Sequence, residues 1–166
     1  MKLLVTGGLG FIGSNFILKL LNETNEFDII NVDAELYGAN QKNLNSVKNH
    51  KKYEFVKGNI TNKRLMEELI SKCDAVVNFA AESFVDRSIN NADPFLVSNI
   101  RGAFTILDII TKQKKRMIQI STDEVFGSLS IGTADEQTKF NPSSPYAATK
   151  AAAELLINSF SVTFNP

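Results

Sequence analysis

Lys2-Leu3-Leu4-Val5-Thr6-Gly7-Gly8-Leu9-Gly10-Phe11-Ile12-Gly13 opens the chain. Lys2 to Thr6 has the character of a short buried strand, and glycines at 7, 10 and 13 follow it directly. A helix is expected from about Phe11 to Asn22, carrying apolar Phe16, Ile17, Leu20 and Leu21. Asp28 to Val32 reads as a second strand that ends at Asp33, twenty residues past Gly13. Strand, glycine-rich turn, helix, strand and acid in this order suit a dinucleotide. The glycines let the backbone approach a pyrophosphate, the helix N-terminus takes its charge, and the acid accepts from the adenosine ribose hydroxyls. The carboxylate would repel a 2′-phosphate, so NAD is expected rather than NADP. A glycine-rich turn alone could serve close packing, and Asp33 alone could cap a turn; the full succession favours the cofactor.

Strands and helices go on alternating. Residues 34–50 are polar and Asn-rich, a long loop with room for one helical turn. Tyr53 to Lys57 is a third strand; Thr61 is the expected N-cap of a helix running to about Lys72. Ala75 to Phe79 is a fourth strand. Asp93-Pro94 should open a long helix to about Lys112, with Asp93 as N-cap and Pro94 at the first position. Residues 116–121 form a fifth strand and 126–142 a loop. Ser143 or Ser144 caps a last helix that has Pro145 in its first turn and continues to about Phe160. The fold class is α/β: a doubly wound parallel sheet with helices on both faces, in a single domain spanning 1–166.

Composition excludes several classes of function. Eighteen Lys+Arg balance eighteen Asp+Glu, so neither a nucleic acid nor a membrane surface is an expected partner. No apolar run approaches the ~20 residues of a membrane span. The segment before Gly7 is too short for the apolar region of a signal peptide. Cys73 is the only cysteine, which rules out an internal disulfide and fits a reducing, cytoplasmic compartment. With His50 the one histidine, neither a His-based triad nor a metal site is expected.

The candidate chemistry lies where the fifth strand ends, at Ser121-Thr122-Asp123-Glu124-Val125-Phe126-Gly127, taken with Tyr146 and Lys150. Tyr146 and Lys150 are four apart, on one face of a helix about one turn from each other. There the ammonium should lower the phenol's pKa and make Tyr146 a usable base. Thr122 can hold a substrate hydroxyl beside it, and Asp123 with Glu124 adds a second acid/base pair.

Three stretches carry a resemblance: Ala80-Ala81-Glu82-Ser83-Phe84-Val85-Asp86-Arg87-Ser88-Ile89, Ser121 to Gly127, and Ser144-Pro145-Tyr146-Ala147-Ala148-Thr149-Lys150. They resemble the extended short-chain dehydrogenase/reductase superfamily and, within it, the dTDP-glucose 4,6-dehydratase family. The adjacent Asp-Glu pair is the discriminating feature. The resemblance implies a Rossmann-type NAD-binding domain and dehydration of a nucleotide sugar, a lyase reaction, by a homodimer in which the last two long helices pair across a two-fold axis. It also implies that Phe11 and Ile12 line the pyrophosphate with Gly7, Gly10 and Gly13. Asp33 to Leu36 would hold the adenosine ribose, and Asn59 and Ile60 the adenine. Ala80, Ala81, Ser98, Tyr146 and Lys150 would contact the ribose-nicotinamide side, and Ser83 and Thr122 the sugar. Thr122, Asp123, Glu124, Tyr146 and Lys150 are the implied catalytic set. Family chains continue into a carboxyl-terminal substrate domain, so this chain is expected to be truncated before it. Phe84, Asn59, Ser98 and Phe126 stand where the family has His, Asp, Thr and Tyr. Glu82 and Arg87 could belong to the site or form a structural ion pair. An epimerase or decarboxylase of another nucleotide sugar, and a catalytically idle NAD-binding fragment, stay open.

Overall fold

A computed structural model describes residues 1–164; Asn165 and Pro166 lie outside the described residues. The elements run β1 (Lys2–Thr6), α1 (Phe11–Glu23), β2 (Asp28–Asp33), β3 (Tyr53–Lys57), α2 (Lys63–Ser71), β4 (Ala75–Asn78), α3 (Val85–Asn90) and α4 (Asp93–Phe95). A π-helical stretch (Leu96–Gly102), α5 (Ala103–Gln113), β5 (Arg116–Gln119) and α6 (Pro145–Phe164) follow. Single 3-10 turns occupy Gln41–Leu44 and Asp123–Phe126. Every strand pairing is parallel, in the order β3-β2-β1-β4-β5. The chain therefore leaves β1 for one side of the sheet and later returns to its other side at β4. That reversal opens a crevice beyond the carboxyl ends of β1 and β4, where such sheets take ligands.

Register and burial make the sheet doubly wound. Leu4 lies beside Ile30 and Thr6 beside Val32, and this face packs on Met66, Leu69 and Ile70 of α2 and Ile106, Ile109 and Ile110 of α5. Leu3 and Val5, with Ile29, face the other way onto Ile17 and Leu21 of α1 and onto Leu44 and Val47 of the Asn-rich loop. Alternate strand residues thus feed two cores, which is why the strands read as continuous apolar runs.

Several local expectations are corrected. Asn62, not Thr61, caps α2: its side chain accepts from Leu65 N at 3.2 Å, while Thr61 donates to Asn59 Oδ1. Asp93 is the first helical residue of α4 rather than its cap, which is Ala92 without a side-chain bond. The helix after Pro94 is not uniformly α but passes through seven π-helical residues. The stretch 85–90, within the segment that carries the resemblance, forms the short helix α3. β4 stops at Asn78 and β5 at Gln119, before Phe79 and Ser121. Ser144 is the cap of α6, accepting from Ala147 N at 3.1 Å, and α6 extends to Phe164.

Candidate active site

The cleft at the crevice has a volume of about 350 Å³. It is lined by Gly7, Gly10, Phe11, Ile12, Gly13, Asp33, Leu36, Asn59 and Ile60, together with Ala80, Ala81, Ser83, Ser98, Tyr146 and Lys150. All the cofactor contacts expected from the sequence thus meet in one cavity.

Packing explains two of the three spaced glycines. Gly7 has φ +70°, and a Cβ there would come within 2.5 Å of Ala80 N; a Cβ on Gly13 would come within 2.5 Å of Gly7 O. Gly10 is different: a Cβ would meet nothing nearer than Gly7 O at 3.4 Å. Its bareness leaves space beside the cleft instead of relieving a clash. Gly10 is also the N-cap of α1, where no side chain caps the first turn. Free N–H groups at a helix N-terminus, behind an open glycine, fit a pyrophosphate. Phe11 and Ile12 stay largely exposed as they face the same space.

Asp33 is buried, and its carboxylate is partly engaged. Oδ2 accepts from Leu9 N at 3.0 Å and Oδ1 from Glu35 N at 2.8 Å. It therefore ties the glycine-rich turn to the β2 loop as well as facing the cleft, so the turn-capping role holds alongside the candidate ribose contact. Asn59 uses its carbonyl oxygen on Thr61, which leaves the amide nitrogen to reach a base.

Tyr146 and Lys150 project from successive turns of α6 and are nearly inaccessible. Lys150 Nζ donates to Ile120 O at 2.5 Å. Burial pulls this lysine down to about 8, opposed by the charge of Glu154. The Tyr146 phenol is pushed up from its ordinary value, by burial first; the Thr122 hydroxyl opposes the rise, while Glu124 and Asp123 add to it. The expectation that Lys150 lowers the phenol is thus corrected. The ammonium is bonded to a carbonyl, and two nearby carboxylates disfavour a phenolate. Thr122, with Asp123 and Glu124 of the 3-10 turn that follows it, stands beside Tyr146 rather than in the cleft lining. Thr122 Oγ1 also caps that turn, accepting from Glu124 N at 3.3 Å.

The 80–89 segment is fastened to α6 by residues that no sequence signal revealed. Asn99, turned inward by the π-helical stretch, accepts from Glu82 N and donates to Glu82 O and Thr149 Oγ1, each at 2.9 Å. Tyr146 N donates to Ser88 Oγ at 3.1 Å. Glu82 and Arg87 do pair, at 2.9 Å, with Glu82 buried. The Arg87 guanidinium lies 4.1 Å from the ring centre of Tyr37, which meets Phe84 edge-on. A polar ladder crosses the strand ends: Asn78 Oδ1 accepts from the Thr6 hydroxyl, and Asn78 Nδ2 donates to Gln119 Oε1 at 2.7 Å. Such contacts join residues dozens of positions apart and leave no local pattern.

Fold and site together define a Rossmann-type dinucleotide-binding domain with a Tyr-xxx-Lys pair at the carboxyl edge of its sheet. A family model described as GDP-mannose 4,6 dehydratase matches residues 4–165, and the chain belongs to that family. A low-salt glycan biosynthesis protein, Agl12, of Haloferax volcanii is 43% identical over 164 residues, covering 98% of this chain and 53% of the relative. The dTDP-glucose 4,6-dehydratase of Mycobacterium tuberculosis is 42% identical over 163 residues, covering 96% of this chain and 49% of the relative. The crystal structure of DesIV, a dTDP-glucose 4,6-dehydratase from Streptomyces venezuelae with NAD and TYD bound, superposes with a TM-score of 0.95 at 39% identity. It covers 99% of this chain and 53% of that one. The chain thus spans about half the length of the curated relatives it matches.

Proposed function

We propose that this chain is the cofactor-binding and acid-base half of an NAD-dependent dTDP-glucose 4,6-dehydratase, which forms dTDP-4-keto-6-deoxyglucose. The observation that carries this reading is the 3-10 turn after β5: Asp123 and Glu124 stand side by side there, and both act electrostatically on the Tyr146 phenol. Oxidising one hydroxyl needs one base; losing water afterwards needs a second acid/base pair, and the turn supplies it. The glycine-rich turn, the bare Gly10 and Asp33 fit NAD. Bound NAD would accept hydride from C4 of the sugar and return it to C6, and would bring a positive charge near the phenol.

Tyr146 takes the proton from O4 as C4 is oxidised, with Thr122 holding that hydroxyl and Ser83 touching the sugar. Lys150, held by Ile120 O, orients the nicotinamide ribose. The new ketone acidifies the C5 proton. Glu124 removes it, and Asp123 protonates the departing 6-hydroxyl as water. Glu124 returns its proton to C5 when C6 is reduced, and the proton taken from O4 restores Asp123. The lone buried Cys73 suits a reducing compartment, and this reading places the protein in the cytoplasm. No helix among the described residues is long and apolar enough to cross a membrane.

The test uses the chain joined to its substrate-binding half. Glu124→Gln keeps the size and hydrogen bonding but removes the base. It should accumulate NADH in rapid-mixing absorbance and lose deuterium exchange at C5, with turnover down about 10²–10⁴-fold. Exchange at the wild-type rate would remove Glu124 as the base, and the dehydratase reading with it.

A further inference from the structure

Lys150 poses a problem that its role in the cleft does not solve. Lys150 is 5% exposed, and its ammonium donates to a neutral carbonyl, Ile120 O. An ammonium buried without a counter-charge gives up its proton readily. Charged groups occur on every element packed against α6: Asp86 and Arg87 on α3, Asp93 on α4, Arg101 on the π-helical stretch, Asp108 and Lys112 on α5, Asp123 and Glu124 on the 3-10 turn. The last two act on Tyr146, and none of the eight acts on Lys150. Glu154 does, from one turn further along α6 on the same face. Its carboxylate is not free to drift, because the Ser121 hydroxyl donates to Glu154 Oε1. Ser121 directly follows Ile120, whose carbonyl holds the ammonium. One short segment therefore grips both the cation and the anion.

We propose that Glu154 is a positioning residue for the Tyr146–Lys150 pair: its carboxylate, held by Ser121, is the counter-charge of the buried ammonium and fastens the end of β5 to α6. The role in turnover rests on the dehydratase reading; the charge pairing itself needs no substrate.

The test is a pH titration of the chain labelled with 13C and 15N in its lysine side chains, followed by NMR. The Lys150 signal is identified by its loss in Lys150→Met. In Glu154→Gln the Ser121 bond can persist while the charge is gone, and the Lys150 midpoint should fall by about half a pH unit or more, roughly threefold in protonation ratio. Glu154→Asp should restore most of the shift. Ser121→Ala, which keeps the carboxylate but releases it, should give an intermediate fall, and it decides the matter if Glu154→Gln fails to fold. An unchanged midpoint in folded Glu154→Gln, or in Ser121→Ala where that variant decides, overturns the proposal. In the joined enzyme the alkaline limb of kcat/KM should move with the midpoint. A shifted midpoint with no 4-keto product would count against the dehydratase reading and leave the pairing of Glu154 with Lys150 supported.

Discussion

At the scale of single residues, Lys150 shows a site held at the expense of stability. Its pKa in the fold, about 8, lies below the ordinary 10.5. Below pH 8 both folded and unfolded chains hold the proton, and the cost of burying the charge is constant at about 3 kcal/mol. Between pH 8 and 10.5 the unfolded chain binds more protons, so stability contributed at this position rises with pH; above 10.5 the cost is gone. Lys150→Met should therefore stabilise the fold at pH 7 by about 1–3 kcal/mol. Ile120 O keeps a partner in that variant, Gln119 Nε2 at 3.0 Å. Chemical denaturation of both proteins checks this: the advantage of Lys150→Met should shrink from pH 8 to 10.5, and a constant difference would refute it. Asp33 carries a second prediction. Calorimetry should show NAD binding more tightly than NADP, and Asp33→Ala should narrow the gap by removing both the ribose bonds and the repulsion. The same change frees Leu9 N and Glu35 N, so it should also lower the melting temperature, by about 1–3 kcal/mol of stability.

At the scale of elements, the ends of helices decide more than their middles. α5 closes on Lys114 in the left-handed region, φ 53°, where glycine is usual and a side chain is strained. The Lys114 backbone N–H still closes the helix by bonding Ile110 and Thr111 carbonyls. Lys114→Gly keeps that geometry without the Cβ penalty and should stabilise by about 0.5–1 kcal/mol in thermal unfolding; a loss of stability would mean that the lysine side chain contributes through its contacts. The π-helical stretch is the other decisive element. By widening one turn it brings Asn99 to face both the Glu82 backbone and Thr149, so the loop bearing Ser83 and the helix bearing Lys150 share one anchor.

For the whole molecule, the central strands β1, β2 and β4 are buried on both faces, yet α6 and the long rod before β5 leave apolar side chains in water. Leu96, Val97, Phe104 and Leu155 are each 45–58% exposed, while Phe95 and Ile106 of the same rod are buried. A helix apolar on two sides asks for cover on two sides. We propose that these helices pair between two copies of the chain, as the resemblance implies. Light scattering at micromolar concentration should give a dimer, and Leu155→Glu, an exposed position away from the cleft, should shift it to monomer with little change in melting temperature of the separated chain. A wild-type monomer would refute the pairing.

The linear sequence alone determined the alternating β/α order and the glycine-rich turn with its acid at Asp33, and it marked Thr122, Asp123, Glu124, Tyr146 and Lys150 as the candidate chemical set. Those signals are local: strand and helix periods, spacing within one turn, and motifs contiguous in the chain. Tertiary structure decided which of them act on which. The bond from Lys150 to Ile120 O, the raised phenol of Tyr146, Asn99 bridging Glu82 and Thr149, and Ser121 holding Glu154 all arise where segments 17 to 50 residues apart are pressed together and wholly or partly buried. Protonation and hydrogen-bond partners depend on desolvation and on neighbours through space, and neither is written in the spacing of residues along the chain.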